Sequence, residues 1–179
     1  MIALGYDLAA KSCGWGIVEL QNNVGVMCLR HIESGVFNLK EDAGVKNWKD
    51  IDDVMLGLKF LHNHVTNQLD KNSSIELVGV EAAYGYDRFL SVFFARISTV
   101  VLMAACWKCD TYLVHPATLK RIVTGNGRAE KAEVMKKIEE KLGLKALRTE
   151  KGAIVVTEYD RFDALGVAIS CFHYKGILG

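Results

Sequence analysis

Four carboxylates occupy positions suited to gripping divalent cations: Asp7, Glu81, Asp160 and Asp163. Asp7 lies at the end of the first apolar run, Met1-Ile-Ala-Leu-Gly-Tyr-Asp7, and Glu81 closes a second, Ile75-Glu-Leu-Val-Gly-Val-Glu81. Asp160 and Asp163 stand three apart where a helical pattern begins, so both fall on one helix face. Carboxylates drawn together repel unless a cation neutralises them. The inventory points to metal-dependent phosphodiester hydrolysis, which needs an activated water, neutralised phosphoryl oxygens and a stabilised leaving oxygen. Two Mg²⁺ ions about 3.5–4 Å apart supply all three. Mn²⁺ substitutes readily, and hard cations of this kind take oxygen ligands without Cys or His.

Stepping the chemistry onto elements, the spacing predicts three strands first: Ile2 to Asp7, Gly14 to Leu20, and a longer run from Val24 to Phe37 interrupted near His31 to Gly35. Asn22-Asn23 is the turn signal between the last two. Apolar residues at 51, 54, 58, 61, 65 and 69 recur at helical spacing, with Asp50 or Asp52 as cap. A strand over 77–81, a helix over 89–107 and a short strand over 111–114 follow. Pro116, the only proline, suits the first turn of a helix over 117–123. Gly125-Asn-Gly127 breaks the chain before a helix over 129–142, and a final helix begins near Tyr159. Three meander strands, then helices alternating with two more strands, predict an α/β fold: a five-stranded mixed sheet, three strands antiparallel and two parallel, with helices on both faces. Two acid-ended strands side by side at the centre, and a closing helix over them, bring the four acids together.

The 179 residues fit one domain spanning 1–179, since domains run ~100–200 residues. With half of its residues hydrophobic and 24% charged, the chain can bury a core. No apolar stretch reaches the roughly 18 residues of a membrane helix, and no export signal precedes the first strand, so a cytoplasmic, disulfide-free protein is expected. Cys106-Trp-Lys-Cys109 lacks the second ligand pair that structural zinc needs. Net charge is +1, but it is segregated: residues 115–151 hold ten Lys/Arg against five acids, and the rest twelve against sixteen. That segment is therefore +5 and the remainder −4, as suits a protein gripping a polyanion with one face. Lys120, Arg121, Arg128 and Lys131 flank the glycine loop and are the candidates for phosphate contact.

Four segments, in order, carry a family resemblance: Gly5-Tyr-Asp7 followed by Gly14-Trp-Gly16; Val80-Glu81 with Tyr84; Pro116-x-x-x-Lys120 then Gly125-x-Gly127-x-Ala129-x-Lys131; and Asp160-x-x-Asp163-Ala-Leu. Through them the chain resembles the RuvC-type Holliday junction resolvases of the ribonuclease-H-like superfamily over almost its whole length. It departs from the family pattern at Asp7-Leu8-Ala9, where Asp-Pro-Gly is usual, and only partly echoes Gln-x-Arg-Gly at Ala95-Arg96. The departures fit a divergent, phage-encoded member acting in a bacterial or infected-host cytoplasm. The resemblance implies a structure-selective endodeoxyribonuclease that nicks four-way junctions symmetrically. Asp7, Glu81, Asp160 and Asp163 are expected to hold the ions, and the split we expect has Asp7 bridging, Glu81 and Asp160 on one ion and Asp163 on the other. Lys131 and Lys120 match lysines the family uses at or near its active site, and Tyr84 is placed to stack on an unpaired base at the junction centre. Two cuts on a two-fold substrate imply a homodimer. No small-molecule cofactor and no membrane partner is expected. The competing readings are a nuclease of the same fold acting on flaps, forks or RNA–DNA hybrids, and a junction-binding protein without catalysis. An actin-like ATP-binding half-fold, with Gly14-Trp-Gly16 at phosphate, is disfavoured because it needs two such halves.

Overall fold

The computed structural model describes residues 1–9, 12–47, 50–82 and 89–178. In chain order the elements are β1 (Ile2–Asp7), β2 (Ser12–Asn23), β3 (Val26–Asn38), α1 (Leu39–Asp42), α2 (Ile51–Lys71), β4 (Ile75–Glu81), α3 (Phe89–Ala105), β5 (Asp110–Val114), α4 (Pro116–Thr124), α5 (Lys131–Leu142) and α6 (Thr157–Tyr174). The sheet order is β3-β2-β1-β4-β5. β1 pairs antiparallel with β2, and β2 with β3, whereas β4 runs parallel to both β1 and β5. This is the five-stranded mixed sheet that the sequence predicts, with the acid-ended strands β1 and β4 adjacent at its centre.

Strand period decides which residues face which layer. Leu4, Tyr6, Val78 and Val80 point into the core shared with α2 and α3, where Leu61, Val65 and Leu102 meet them. Ala3 and Leu77 point the other way, into the core built with α4, α5 and α6. Asp7 and Glu81 have the same parity as Ala3 and Leu77, so both acids emerge on the α6 face. α6 itself is buried nearly all round from Phe162 to Phe172, because the sheet lies on one side and α4 and α5 lie on the other. A helix enclosed in this way needs an apolar surface on every side, which Ala164-Leu-Gly-Val-Ala-Ile provides.

Four glycines set how deeply α6 sits. Gly16, Gly5 and Gly79 lie in register across β2, β1 and β4, and Gly14 pairs with Asp7. A Cβ at Gly5 would lie 2.1 Å from the Ala164 carbonyl oxygen, and one at Gly14 would lie 1.9 Å from that of Asp160. At Gly16 and Gly79 it would meet Leu165 at 2.6 Å and Cys171 at 2.5 Å. The strands thus form a trough floored by bare backbone, and the closing helix occupies it.

Local boundaries differ from the sequence reading in physical detail. The β2–β3 turn falls at Val24-Gly25 rather than Asn22-Asn23, which are the last residues of β2. Both turn residues have positive φ, and the Asn22 Oδ1 accepts the Gly25 N–H at 2.9 Å, closing the hairpin one step later than the asparagines suggest. The interruption expected near residue 31 is a register shift opposite Ile17/Val18, with β3 continuing through it. Asp50, not Asp52, caps α2 by accepting the Asp52 N–H. α3 ends at Ala105, short of the predicted Trp107, and α5 begins at Lys131 instead of Ala129. Among the described residues no helix is long and apolar enough to cross a membrane.

Candidate active site

At one end of the central strands, Asp7, Glu81 and Asp163 each offer a carboxylate oxygen, and these atoms all lie within 4.8 Å of one another. β1 and β4 deliver the first two by register; α6 delivers the third by sinking into the glycine trough. Asp160 stands one helical turn earlier, outside this triplet of oxygens, and its charge still bears on Asp7, Glu81 and Asp163.

The electrostatics are those of acids forced together. Burial, followed by the charges of Glu81, Asp163 and Asp160, pushes the Asp7 carboxyl well above its ordinary range. Burial and Asp163 raise Glu81 to about 7, even though Lys131 and Lys120 pull it down. Asp163 is raised by burial too, against the counter-pull of Lys131. Lys131 Nζ donates to Asp163 Oδ2 at 2.7 Å, from a side chain 59% exposed to one 14% exposed. Burial works against its charge, but that bond and the acids Asp7 and Glu81 hold its pKa above the ordinary lysine value. A cluster of three carboxylates with one lysine is a poor resting arrangement for anions and a good donor set for a hard divalent cation.

A pH dependence follows. A carboxyl whose folded pKa is raised binds its proton more tightly in the folded state, so its stabilising contribution is complete below the unfolded pKa and is lost as pH climbs through the folded one. For Glu81 the window runs from 4.5 to about 7, and the contribution is on the order of 3 kcal/mol. In chelator the protein is therefore expected to melt lower at about pH 8 than at about pH 5, and a divalent cation is expected to raise the melting temperature far more at the higher pH, where protons no longer compete. Equal cation-induced shifts at both pH values, read by scanning fluorimetry, would contradict this donor set.

The basic candidates divide. Lys120, half-buried on α4, is close enough for its charge to act on Glu81 and Asp163. Arg128 is exposed in the loop ahead of α5, where its N–H bonds Asn126 Oδ1 at 3.0 Å. Gly125, in the left-handed region at φ 83°, ends α4 so that this loop can double back. Arg121 is not brought to the acids. It lines a cleft of about 670 Å³ with Met27, Cys28 and Leu29, toward the end of the β2–β3 ladder opposite the Asp7–Gly14 pair. Tyr84 lies outside the described residues. Trp15 is core, as its alternating strand predicts. The helix residue His64 is enclosed by Tyr6, Trp15 and Phe37, and bonds the Tyr6 hydroxyl at 3.1 Å.

A family model for crossover junction endodeoxyribonuclease RuvC matches residues 3–171, nearly the whole chain. The chain belongs to the RuvC family. RuvC of Neorickettsia sennetsu is 25% identical to it over 175 residues, covering 97% of this chain and 93% of that one. The structure of Thermus thermophilus RuvC superposes with a TM-score of 0.74 at 20% identity, covering 99% and 98% of the two chains. A second structure, of that same Thermus protein in complex with a Holliday junction substrate, gives 0.72 at 18% identity over the same shares. As a RuvC-family protein the chain is an endonuclease, of a class that works with metal ions.

The glycine trough and the contacts at the start of α6 leave only a faint trace in the sequence. Glycines inside three otherwise apolar strands were the available signal, because a strand glycine often marks a close approach of other backbone.

Proposed function

We propose that this RuvC-family endonuclease resolves four-way DNA junctions by paired symmetric nicks, acting as a homodimer with two Mg²⁺ ions in each active site and Mn²⁺ able to replace them. The observation that carries the reading is the convergence of Asp7, Glu81 and Asp163 on one face at the end of the sheet centre. These three residues, with Asp160 beside them, are assigned to hold the ions. Bound Mg²⁺ supplies Lewis-acid polarisation of the scissile phosphate and a water acidic enough to attack at neutral pH.

The chain's own residues do the rest. Asp7 feels the charge of every other acid in the cluster, so it is the residue that would serve both ions. Lys131 presents its ammonium at the rim of the acids, held there by Asp163, where negative charge builds on the phosphate during cleavage. Lys120 adds a second positive charge from α4. Arg128 is assigned to a neighbouring backbone phosphate, and Tyr84 to stacking at the junction centre on the strength of its sequence position. Arg121, whose cleft lies away from the acids, is assigned to a backbone phosphate outside the active site. Two nicks related by the two-fold axis of a junction call for two copies of this site under the same symmetry, hence the dimer.

The test is a substrate panel: a synthetic four-way junction, a Y-fork, a linear duplex and an RNA–DNA hybrid, each with Mg²⁺, Mn²⁺ or EDTA, with nicks mapped on every strand. Symmetric nicks confined to the junction and absent in EDTA are expected. Cutting of the hybrid alone would overturn the junction reading, and metal-independent binding without any cut would reduce the protein to a junction-binding module.

A further inference from the structure

α6 carries Asp160 and Asp163 within two turns of its start, yet its N-cap residue, Val156, makes no side-chain hydrogen bond to the first turn. That turn is held by tertiary contacts. Glu158 Oε2 accepts the Leu147 N–H at 2.8 Å and pairs with Arg161 at 2.5 Å, both side chains being little exposed, at 5% and 16%. Arg161 also donates to Ser34 Oγ on β3 at 3.3 Å, and its guanidinium lies over the Phe162 ring, 4.8 Å from the centroid. A single ion pair therefore fastens the helix start to β3 on one side and to the segment preceding the helix on the other. Arg161 is the residue immediately after Asp160 and two before Asp163.

A buried ion pair is an inefficient way to gain stability, because desolvation offsets most of the attraction and a well-packed apolar pair often does as well. What it adds is direction. The guanidinium fork addresses Glu158 and Ser34 together, which a lysine's compact ammonium does less well. One turn further on, Asp163 brings a carboxylate oxygen within 4.8 Å of those of Asp7 and Glu81, and like charges at that range repel.

We infer that Glu158 and Arg161 are positioning residues: their ion pair fixes the first turn of α6 so that Asp160 and Asp163 are presented to Asp7 and Glu81 in a geometry that binds cations. This rests on the metal-dependent reading above and extends it to two residues outside the acid cluster.

The test uses the double variant E158M/R161M, which replaces the pair by apolar side chains, together with R161K. Three quantities are measured: melting temperature in EDTA, Mn²⁺ affinity of the protein alone by calorimetry, and junction cleavage as a function of Mg²⁺ concentration. The double variant is expected to melt close to the unsubstituted protein but to bind Mn²⁺ about 10-fold more weakly, the lower end of the effect of losing a supporting contact behind a metal ligand. Its Mg²⁺ half-saturation for cleavage should rise by a similar factor. R161K is expected to fall in between. Folded double variant with unchanged Mn²⁺ affinity would overturn the inference. If the double variant does not fold, R161K decides: weakened Mn²⁺ binding supports positioning and unchanged binding overturns it. Because the Mn²⁺ measurement uses no DNA, a failure of the junction reading would leave it standing.

Discussion

Asp7→Asn is expected to abolish junction cleavage, by about 10³-fold or more, while making the metal-free protein harder to unfold. The activity estimate starts from the ~10²–10³-fold cost of removing one preorganised electrostatic group and places Asp7 at the upper end, because it neighbours both of the other converging acids. The stability gain has the opposite origin. Charging Asp7 in the folded chain is costly, since burial and three surrounding acids all raise its pKa, and an amide of the same shape never carries that charge. Cleavage assays on a four-way junction, paired with melting curves in EDTA, check both halves. Wild-type cleavage would remove Asp7 from the metal site; a lower melting temperature in EDTA would mean that the carboxylate is an ordinary structural partner. A residue that weakens the fold while enabling reaction is what a stability–activity trade-off looks like at one position.

Gly5→Ala is expected to cost about 3 kcal/mol, at the upper end for overpacked interiors, and to lower cleavage by about 10²-fold even where the protein stays folded, as a misplacement near 1 Å does. The added methyl would lie 2.1 Å from the Ala164 oxygen and 2.5 Å from the Ala168 nitrogen. Both atoms belong to the α6 backbone, which cannot swing aside as a side chain can, so the helix must lift from the sheet and carry Asp163 with it. Gly166→Ala is the control. There the nearest atoms are Leu119 Cδ2 at 3.1 Å and Ile138 Cδ1 at 3.2 Å, the far ends of flexible side chains. That substitution is expected to be close to neutral, because alanine also gains about 1 kcal/mol of helix propensity over glycine. Chemical denaturation of both variants measures the difference. Equal stabilities would mean that α6 does not rely on the trough.

Much of this was legible from residue order. Apolar runs ending in Asp7 and Glu81, helical spacing after Asp50, and the proline and glycines around α4 are local signals with local causes, and each became the element it suggested. The parallel neighbours β1 and β4 followed from counting helices between strands. Other features depend on contacts between distant segments and leave little local trace. Nothing in the vicinity of Arg121 marks that its side chain turns toward Met27 and Leu29 rather than toward the acids. The i, i+3 spacing places Asp160 and Asp163 on one helix face, but only the depth of α6 in the sheet determines that Asp163 joins Asp7 and Glu81 while Asp160 stands back. Glu158 and Arg161 read as an ordinary helical pair until Leu147 and Ser34 are seen beside them.

The trough also bears on how the enzyme comes into being. Asp7 sits on β1 and Asp163 on α6, far apart in the chain, so the three converging acids cannot meet until α6 has docked. Docking is a long-range event, of the kind that forms late because loop closure must precede it. Before that docking the trough is unfilled and the acid triplet is incomplete. The candidate active site is thus assembled by the last long-range contact of the fold and by no local segment.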